Sequence, residues 1–471
     1  MNRTKIKKMI WAGIFLLLVL LTVRSCTYSE NTDRRFIKDK EGRSLILHGV
    51  NVNADAKHDP LRVGWPQRQN YADLPEKWGL NFVRYLVLWD GIEAEKGVYD
   101  TAYFARIRER LDWCQELDLH VVLDMHQDLY ALQYGGDGAP DWAIIDDGEP
   151  FEMQEPWELN YRQPAVIASI NNFWDKSRGH GELQEHYIKA VVALVKEFKD
   201  HPAVIGYDLY NEPTMATSEA FAFEERYLQP FYEDIIPAIR EVDSENWIFY
   251  EPSALGVNQG LKSRLDVLDD DREGEDRLAY FPHIYTLDLD LMDKYIGFPM
   301  FLAGWAANRN REIKRQNAPM LVGEFGLNIK QPGSLDFLKD AMTMLDKTSS
   351  GWAYWAYMKN DSWSPFDENA KSTEANEILI RPYPQSVAGN PISYGFDLED
   401  VRFWLTFSSD ASITAPTEIY IPQKHYPNGY ELKINIDKKS YRTVWDENRS
   451  ILKLFIEEGE NSKIDMSIIP K

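Results

Sequence analysis

Short apolar segments alternate with segments of helical periodicity between residues 36 and 365. The apolar segments have the length and the β-branched or aromatic content of buried strands. Eight of them can be distinguished, at 45–51, 82–89, 120–128, 204–212, 247–253, 279–285, 320–326 and 352–358. Most precede an amphipathic helical pattern, and apolar strands that alternate with helices form a parallel sheet covered by helices. Eight such units predict an α/β fold with a (β/α)8 barrel.

The pattern changes after residue 380, where no good helical pattern remains. Short strand-like segments separated by Asn, Gly, Asp and Ser lie at 401–409, 417–423, 430–436 and 452–459. This arrangement predicts a small antiparallel β-sandwich. Segment 381–393 is rich in Pro and Gly, which predicts a connection between two domains. We therefore expect a barrel over residues 31–380 and a C-terminal β-sandwich over residues 381–471.

Residues 1–30 have the composition of a targeting segment. The basic residues Arg3, Lys5, Lys7 and Lys8 precede an uncharged run at 9–23. This run is shorter than the roughly 20 residues of a membrane span and fits the apolar part of an export signal. The sequence "VRSC" at 23–26 resembles a lipoprotein cleavage site, so lipidation of Cys26, cleavage elsewhere and retention as an anchor are three alternatives. Each of them predicts a secreted or surface-anchored protein outside the cytoplasm.

Charge and cysteine content narrow the function class. The chain has 52 Lys and Arg against 75 Asp and Glu, a formal net charge of −23. Phosphate binding needs clustered cations, so this balance argues against nucleic acid as a partner and simply favours solubility. The cysteines Cys26 and Cys114 imply no disulfide framework, and Cys114 fits a buried position in a helix. No Cys/His spacing typical of a zinc site is present, so we expect no metal.

Two insertions interrupt the alternation on the face where a barrel places its active site. The first runs from Tyr130 to about His180 and carries Trp142, Trp157, Phe173 and Trp174. The second, at 287–305, is strongly apolar. It either lines an apolar slot or contacts a bilayer surface, or else it packs against the barrel. Its acidic residues Asp288, Asp290 and Asp293 predict that one of its faces is in contact with water.

Polar side chains concentrate at the carboxyl ends of the predicted strands, which meet around one mouth in a barrel. They are Arg84 within the second strand, His126, Gln127 and Asp128 on the third, Asn211 and Glu212 on the fourth, His283 and Tyr285 on the sixth, Glu324 on the seventh and Trp355 on the eighth. An ionic group is costly to bury without a partner. Each residue alone has a structural explanation, such as an Arg84–Glu324 ion pair. The combination of two glutamates with a preceding Asn favours a site.

A pair of carboxyl groups across a barrel mouth suits glycoside hydrolysis, in which one protonates the leaving oxygen and the other attacks the anomeric carbon. A separation of about 5–5.5 Å corresponds to a covalent glycosyl-enzyme and retention of configuration. We expect Arg84 to keep Glu324 ionised, because a nearby cation lowers the pKa of a carboxyl. Asn211 is placed to bind a sugar 2-hydroxyl. Two carboxyl groups suffice for this chemistry, so no cofactor is expected.

Several of these motifs together resemble glycoside hydrolase family 5 over residues 36–365. They are "NFVR" at 81–84, "NEP" at 211–213, "HIY" at 283–285, "GEFG" at 323–326 and the Trp at 355. The resemblance implies a retaining barrel enzyme in which Glu212 is the acid/base and Glu324 the nucleophile.

A narrower resemblance is to the endoglycoceramidase branch, whose members cut the β-bond between an oligosaccharide and ceramide and carry a C-terminal β-sandwich. It rests on "GRSLILHGVNVNADAK" at 42–57, "DMHQDLY" at 124–130 and "RPYPQSVAGNP" at 381–391. Lys57 and Asp128 match sugar-binding residues of that branch. The resemblance also implies substrate-binding roles for His126, Asn211, His283, Tyr285 and Trp355, with Arg84 in support.

The sequence therefore predicts a retaining β-glycosidase that releases the glycan of glycosphingolipids, with a membrane surface as a candidate contact and a monomer as the expected state. A polysaccharide endo-β-glucanase or a steryl-glycoside hydrolase is the alternative enzyme. A polysaccharide cleft is open at both ends, whereas a glycolipid site has a sugar pocket on one side and an apolar groove on the other. An inactive surface carbohydrate-binding protein is the non-enzyme alternative, which the presence of both Glu212 and Glu324 disfavours.

Overall fold

The computed structural model describes residues 34–215, 222–286, 288–289, 294–296, 300–359, 361–365, 373–457 and 462–471. The basic and apolar N-terminal segment lies outside these residues, and so does Cys26, whose lipidation is one of the three alternatives given above. In the described ranges no helix is both long and apolar enough to cross a membrane.

A closed parallel sheet forms the centre of the larger domain. Its strands are β2 (Leu47–Val52), β3 (Phe82–Leu88), β4 (His120–His126), β5 (Val204–Asp208), β6 (Trp247–Tyr250), β7 (Leu278–Tyr280), β8 (His283–Ile284), β9 (Val322–Phe325) and β10 (Gly351–Tyr354), after a short β1 (Ser44–Leu45). Their order is β7-β6-β5-β4-β3-β2-β10-β9-β8. The segments β7 and β8 are two halves of the sixth barrel strand, because β7 pairs with β6 and β8 pairs with β9. Eight strand positions therefore close the predicted (β/α)8 barrel over the described residues.

Helices cover the outside of this barrel. The longer ones are α1 (Arg68–Trp78), α2 (Thr101–Glu116), α3 (Pro164–Trp174), α4 (Glu182–Phe198), α5 (Gln229–Arg240), α6 (Met300–Gln316), α7 (Ser334–Thr348) and α8 (Glu374–Leu379), with a short turn at Trp89–Ile92. In α2 the Asp100 side chain accepts from two backbone amides of the first turn and so fixes its start. Ile107, Leu111 and Cys114 recur on its buried face at helical spacing, which confirms Cys114 as a buried residue.

The interior of the barrel is apolar at its amino-terminal end. Leu47, Phe82, Val122 and Phe249 belong to one buried cluster there, and each lies near the start or middle of its strand. Polar side chains enter the interior only farther along the strands. The apolar packing at the amino-terminal end therefore confines the polar groups to the carboxyl-terminal mouth of the barrel. Seven of the eight predicted strands end later than the observed ones, because the residues after the ladder turn away to build this mouth, whereas the first ends one residue later than predicted, at Val52.

The C-terminal residues form two antiparallel sheets. The strands are β11 (Tyr383–Val387), β12 (Gly389–Asp397), β13 (Arg402–Ser409), β14 (Thr417–Tyr420), β15 (Tyr430–Ile434), β16 (Tyr441–Asp446), β17 (Ile451–Ile456) and β18 (Lys463–Pro470). One sheet has the order β1-β11-β14-β17-β16 and the other β12-β13-β18-β15. Side chains from both sheets share one buried cluster, so the region is a β-sandwich, as predicted.

The interpretation of segment 381–393 as a connection is wrong. Residues 383–387 and 389–397 are strands of the two sheets, so the segment is part of the sandwich itself. Pro391 is tolerated because β12 is an edge strand whose register shifts between Pro391 and Ser393. Since β1 pairs with β11, the start of the barrel region also contributes to the sandwich.

The described part of the second insertion packs against the barrel. Leu302 and Trp305 of α6 are buried, and the Trp305 indole donates to the His283 carbonyl at 3.0 Å. Asp288 is also buried, which contradicts the predicted wet face at that residue. Asp290 and Asp293 lie outside the described residues, together with Leu287, Leu291, Met292 and Phe298.

Candidate active site

Glu212 and Glu324 face each other across the carboxyl-terminal mouth of the barrel. Glu212 follows β5 and Glu324 lies in β9. One carboxylate oxygen of each and one ring nitrogen of His283 lie within 4.8 Å of one another. Retaining glycosidases hold their carboxyl groups about 5–5.5 Å apart, whereas inverting ones leave roughly 6.5–9.5 Å for a water molecule. The geometry of this pair therefore suits a displacement through a covalent intermediate.

Arg84 in β3 is the fully buried centre of the polar network below these two glutamates. Its guanidinium donates to Glu324 Oε1 at 2.6 Å, Asn51 Oδ1 at 3.0 Å, Asp208 Oδ2 at 2.7 Å, Asn211 Oδ1 at 2.8 Å and Glu251 Oε1 at 3.0 Å. Burial and the charge of Glu251 raise the pKa of Asp208 well above its ordinary value, although Arg84 opposes the rise. This shift favours the neutral form of Asp208, in which the repulsion among the carboxylates around Arg84 is smaller.

His283, at the start of β8, connects the two catalytic candidates. Its Nδ1 lies 2.9 Å from Glu212 Oε1 and 3.6 Å from Glu324 Oε2, and its Nε2 lies 3.1 Å from Glu251 Oε1. Burial lowers the pKa of His283, but Glu251 and Glu324 outweigh it and hold the pKa well above its ordinary value. The imidazolium therefore places a positive charge between the carboxylates, which allows them to approach each other.

Backbone conformation and hydrogen bonds aim Glu212 at the mouth. Its φ is 46°, in the left-handed region, and Pro213 follows it, so the chain leaves the direction of the strand at Glu212. The Glu212 amide donates to Glu251 Oε2 at 2.9 Å, and Asn258 Nδ2 donates to Glu212 Oε1 at 2.8 Å. The Glu212 side chain is 21% exposed against 5% for Glu324, so Glu212 is the carboxyl more open to solvent.

Glu324 is held by Arg84 at one oxygen and by the Tyr285 hydroxyl, 2.8 Å away, at the other. Burial raises the pKa of Glu324 to about 7, although His283 and Arg84 oppose the rise. As predicted, the Arg84 cation lowers the pKa of this carboxyl, but desolvation outweighs the nearby cations, so the net shift is upward and Arg84 does not keep Glu324 ionised. Glu324 is a nucleophile only when deprotonated, so its reactivity is lost as the pH falls through about 7.

We predict that Tyr285→Phe moves the acidic limb of the kcat/KM profile to higher pH, by about one unit. The substitution removes a hydrogen bond that stabilises the ionised form of Glu324, so the pKa of Glu324 rises further. The measurement is kcat/KM against pH on a soluble aryl glycoside. Tyr394→Phe is the control, because Tyr394 is a buried tyrosine whose hydroxyl donates to the Ser349 carbonyl, away from the mouth. An acidic limb of the kcat/KM profile that lies at the same pH in Tyr285→Phe as in the wild type contradicts the prediction.

A second polar group lies beside the pair, in the loops that follow β2 and β4. Asp128 pairs with Asp137 through the backbone, and Lys57 Nζ lies 3.6 Å from Asp137 Oδ2. Burial lowers the pKa of Lys57, but Asp137 and Asp128 outweigh it and raise the pKa, so the ammonium stays charged. His126 Nε2 lies 3.7 Å from Asp128 Oδ2. This group presents several donors and acceptors suited to sugar hydroxyls.

Trp355, which follows β10, stacks on His126 with ring centroids 5.4 Å apart and 13° between the planes. It is half-buried and so combines an accessible ring face with fixed packing. Asn211 is fully held within the protein, because Arg84 donates to its oxygen and its amide donates to the Gln127 carbonyl at 3.0 Å. Its predicted contact with a sugar hydroxyl stays a prediction.

The aromatic residues of the first insertion have different positions. Phe173 and Trp174 are buried, and the indole nitrogen of half-buried Trp142 donates to the Glu93 carbonyl at 2.9 Å. Trp157 is 44% exposed. Its ring packs beside Tyr161, with centroids 6.2 Å apart, and Tyr161 in turn accepts from the Leu129 amide.

The structure thus brings together all the candidate residues: Lys57, Arg84, His126, Asp128, Asn211, Glu212, His283, Tyr285, Glu324 and Trp355. Six of their partners are not among the residues predicted from the sequence, namely Asn51, Asp124, Asp137, Asp208, Glu251 and Asn258. A signal for four of these was present, because Asn51, Asp124, Asp208 and Glu251 are polar residues within or directly after apolar strands. Asp137 and Asn258 lie in loops and carry no such signal.

Comparisons with known proteins extend this description. Residues 39–361 match the family model described as cellulase (glycosyl hydrolase family 5), and residues 381–468 match that of the glycoside hydrolase family 5 C-terminal domain. Endoglycoceramidase I of Rhodococcus hoagii (strain 103S) is 29% identical over 420 residues, covering 86% of this chain and 82% of that protein. The endoglycoceramidase of Hydra vulgaris is 25% identical over 492 residues, covering 94% of this chain and 89% of that protein.

Among solved structures, endo-glycoceramidase II from Rhodococcus sp. in complex with ganglioside GM3 is similar over both domains. The TM-score is 0.87 at 35% sequence identity, over 93% of this chain and 100% of that chain. A crystal structure described as an endogalactoceramidase has a TM-score of 0.69 at 22% identity, which is a likeness of fold alone.

Proposed function

The chain belongs to glycoside hydrolase family 5, and we propose that it is a retaining β-glycosidase that hydrolyses the bond between the glycan and the ceramide of glycosphingolipids. The observation that carries the proposal is the pair of carboxylate oxygens of Glu212 and Glu324 within 4.8 Å of one another. The names of the similar endoglycoceramidases support the substrate class.

In the proposed first step, the ionised Glu324 attacks the anomeric carbon while Glu212 gives its proton to the glycosidic oxygen. Ceramide leaves as the alcohol, and the glycan is bound to Glu324 as an ester. In the second step Glu212 takes a proton from water, and the resulting nucleophile displaces Glu324 with a second inversion. Arg84 and Tyr285 stabilise the departing carboxylate through the hydrogen bonds they already make.

The two sides of the mouth differ in polarity. The side of Lys57 and Asp128 is charged, which suits a glycan. On the other side, the loop after β6 places Asn258 on Glu212, the proposed proton donor to the leaving group. Leu255 and Leu261 of this loop are 61% and 41% exposed. Exposed leucines beside the leaving-group side favour an apolar aglycone and contact with a lipid surface over a second run of sugars.

The decisive experiment incubates the protein with a panel of glycosphingolipids, a steryl glucoside and a soluble β-glucan, and quantifies free oligosaccharide and free ceramide. We expect oligosaccharide and ceramide in equal amounts from the glycosphingolipids. Products from the β-glucan alone would establish the polysaccharide hydrolase instead, and products from the steryl glucoside alone the steryl-glycoside hydrolase. Glycan binding without hydrolysis of any substrate would establish the inactive binding protein.

We predict that Lys57→Ala raises KM for a glycosphingolipid by about 10- to 100-fold with little change in kcat, because a charged hydrogen bond is worth about 1.5–3 kcal/mol. Lys57 follows β2 and pairs with Asp137 rather than with either glutamate, so it acts on binding rather than on bond cleavage. Steady-state kinetics measures kcat and KM separately. Lys77→Ala is the control, since Lys77 is an exposed lysine in α1 paired with Asp73. A Lys57→Ala variant with unchanged KM on every glycolipid contradicts the assignment.

We also propose that the protein acts outside the cytoplasm, at the cell surface or secreted. The support is the basic segment followed by the uncharged run at 9–23. Cell fractionation of the full chain, compared with a variant that lacks residues 2–26, tests the location. Recovery of the full chain in the cytoplasm contradicts it.

A further inference from the structure

Asp124, in β4, lies between the two polar groups of the mouth and has no place in the chemistry described above. It is fully buried. Its Oδ2 lies 2.8 Å from His126 Nδ1, and its Oδ1 lies 3.0 Å from Arg84 Nη2. One carboxylate therefore contacts both the histidine of the sugar side and the arginine that holds Glu324.

The contact with Arg84 is a contact between charges rather than a hydrogen bond. Arg84 Nη2 carries two hydrogens and already donates to Asp208, Asn211 and Glu251. Asp124 Oδ1 consequently accepts no hydrogen bond from any described residue. A buried carboxylate oxygen without a donor is costly, so its position calls for an explanation. The hydrogen bond that Asp124 does make is the one to His126.

His126 is fixed from three directions. Asp124 engages Nδ1 from the same strand, and the Trp355 ring stacks on the imidazole from the loop after β10. Asp128 Oδ2 lies 3.7 Å from Nε2, a distance that leaves room for a ligand hydroxyl to take the place of this contact. The Asp124 carboxylate accepts the hydrogen of Nδ1, which leaves Nε2, on the side of Asp128, for a ligand.

We propose that Asp124 is a positioning residue that fixes His126 as a constant hydrogen-bond donor to the glycan, so that glycan binding does not vary with the protonation of His126 around neutral pH. This deepens the glycosidase function proposed above and rests on it only for the identity of the glycan. Asp124 acts through His126 and does not itself touch the sugar.

The charges around His126 agree with this role. Burial lowers the pKa of His126, but Asp124 foremost, with Asp128 and Asp137, raises it well above its ordinary value. The other charged groups near this part of the mouth are Lys57, Arg84, His283, Glu212 and Glu324. All of these remain in Asp124→Asn. Glu324 titrates in the same range and is held by Arg84, so Asp208→Asn, which alters the same guanidinium without contacting His126, separates the effect on Glu324 from that on His126.

The test measures binding of free lactose by calorimetry from pH 5.5 to 8 in the wild type and in Asp124→Asn. His126 is expected to stay protonated over this range in the wild type, so its contribution to the affinity is constant. In Asp124→Asn the pKa of His126 falls toward its ordinary value. As the pH rises, the imidazole of His126 then loses one of its two N–H donors. The affinity for lactose therefore falls between pH 5.5 and pH 8 by at least about 5-fold more than in the wild type. Equal pH profiles overturn the proposal.

Two matched variants separate positioning from a general structural effect. Asp208→Asn alters another acceptor of the same guanidinium but does not contact His126, so its pH profile should follow the wild type. His126→Gln should bind lactose weakly at every pH, and adding Asp124→Asn to it should change nothing further, because Asp124 acts through His126. Additive losses in the double variant, or an Asp208→Asn profile like that of Asp124→Asn, overturn the proposal.

A measurement on the wild type covers the case in which Asp124→Asn does not fold. Nitrogen NMR of the His126 ring, assigned by comparison with His126→Gln, should show both nitrogens protonated up to pH 8. Loss of a ring proton near pH 6.5 contradicts the proposal. Failure of the wild type to cleave any glycolipid would remove the proposed function, whereas these binding and NMR results would still decide the role of Asp124.

Discussion

Glu324→Gln is expected to reduce glycolipid hydrolysis by on the order of a million-fold, as the loss of a covalent nucleophile does in a well-studied hydrolase. The amide has nearly the shape of the carboxyl group, and its oxygen can still accept from Arg84, which lies 2.6 Å from Glu324 Oε1. It carries no charge with which to attack the anomeric carbon. Glycan binding through Lys57 and Asp128 should therefore persist while turnover stops.

Single-turnover hydrolysis of a glycosphingolipid measures the loss, and calorimetry with the free oligosaccharide measures the retained binding. Glu312→Gln is a matched control, because Glu312 is an equally buried glutamate that pairs with Arg309 in α6, outside the mouth. It should lower the free energy of unfolding but leave turnover close to that of the wild type. Turnover of Glu324→Gln within about tenfold of the wild type would remove Glu324 as the nucleophile.

The barrel could be predicted because strands covered on both faces must be apolar along their whole length. Val121 and Tyr207, each within one of these segments, are examples, since both side chains are fully buried in the structure. Segment 381–393 shows the limit of the same approach. Its Pro and Gly content is typical of a connection, but the edge position of β12 tolerates Pro391, and that position depends on pairing with β13.

The glutamate pair could be predicted because polar residues at strand ends converge in any such barrel. The environment of these two glutamates could not be predicted. The sequence places Arg84 near Glu324, but it does not reveal that Asp124, Asp208 and Glu251 compete for the same guanidinium. Nor does it give the degree of burial, which sets the direction of the pKa shift at Glu324. The set of acceptors around Arg84 and the burial of Glu324 both depend on how several strands pack together. The sequence of one segment alone therefore does not predict them.

Glu212→Ala is expected to slow release of ceramide by about 10²- to 10⁴-fold, because a positioned acid contributes this much to the departure of an alcohol. The effect should be far smaller on a nitrophenyl glycoside, whose leaving group needs no proton in the first step. The truncation opens space next to Glu324, since the wild-type side chain is itself 21% exposed and its oxygens lie within 4.8 Å of Glu324. Glu158→Ala, at an exposed acid in the first insertion, should behave as the wild type on both substrates.

Added azide should restore turnover of the nitrophenyl glycoside by Glu212→Ala. A small anion needs no general base, so it can attack the glycosyl-enzyme where water now fails. It displaces Glu324 as a carboxylate and yields a glycosyl azide of the same β-configuration as the substrate. Proton NMR of the product distinguishes the two anomers. An α-azide would mean direct displacement on the substrate and hence no covalent intermediate on Glu324, while the absence of any rescue would assign the proton transfer to a residue other than Glu212. The β-azide alone requires that Glu324 attack the anomeric carbon from one face and that azide displace it from the other, where the Glu212 side chain stood.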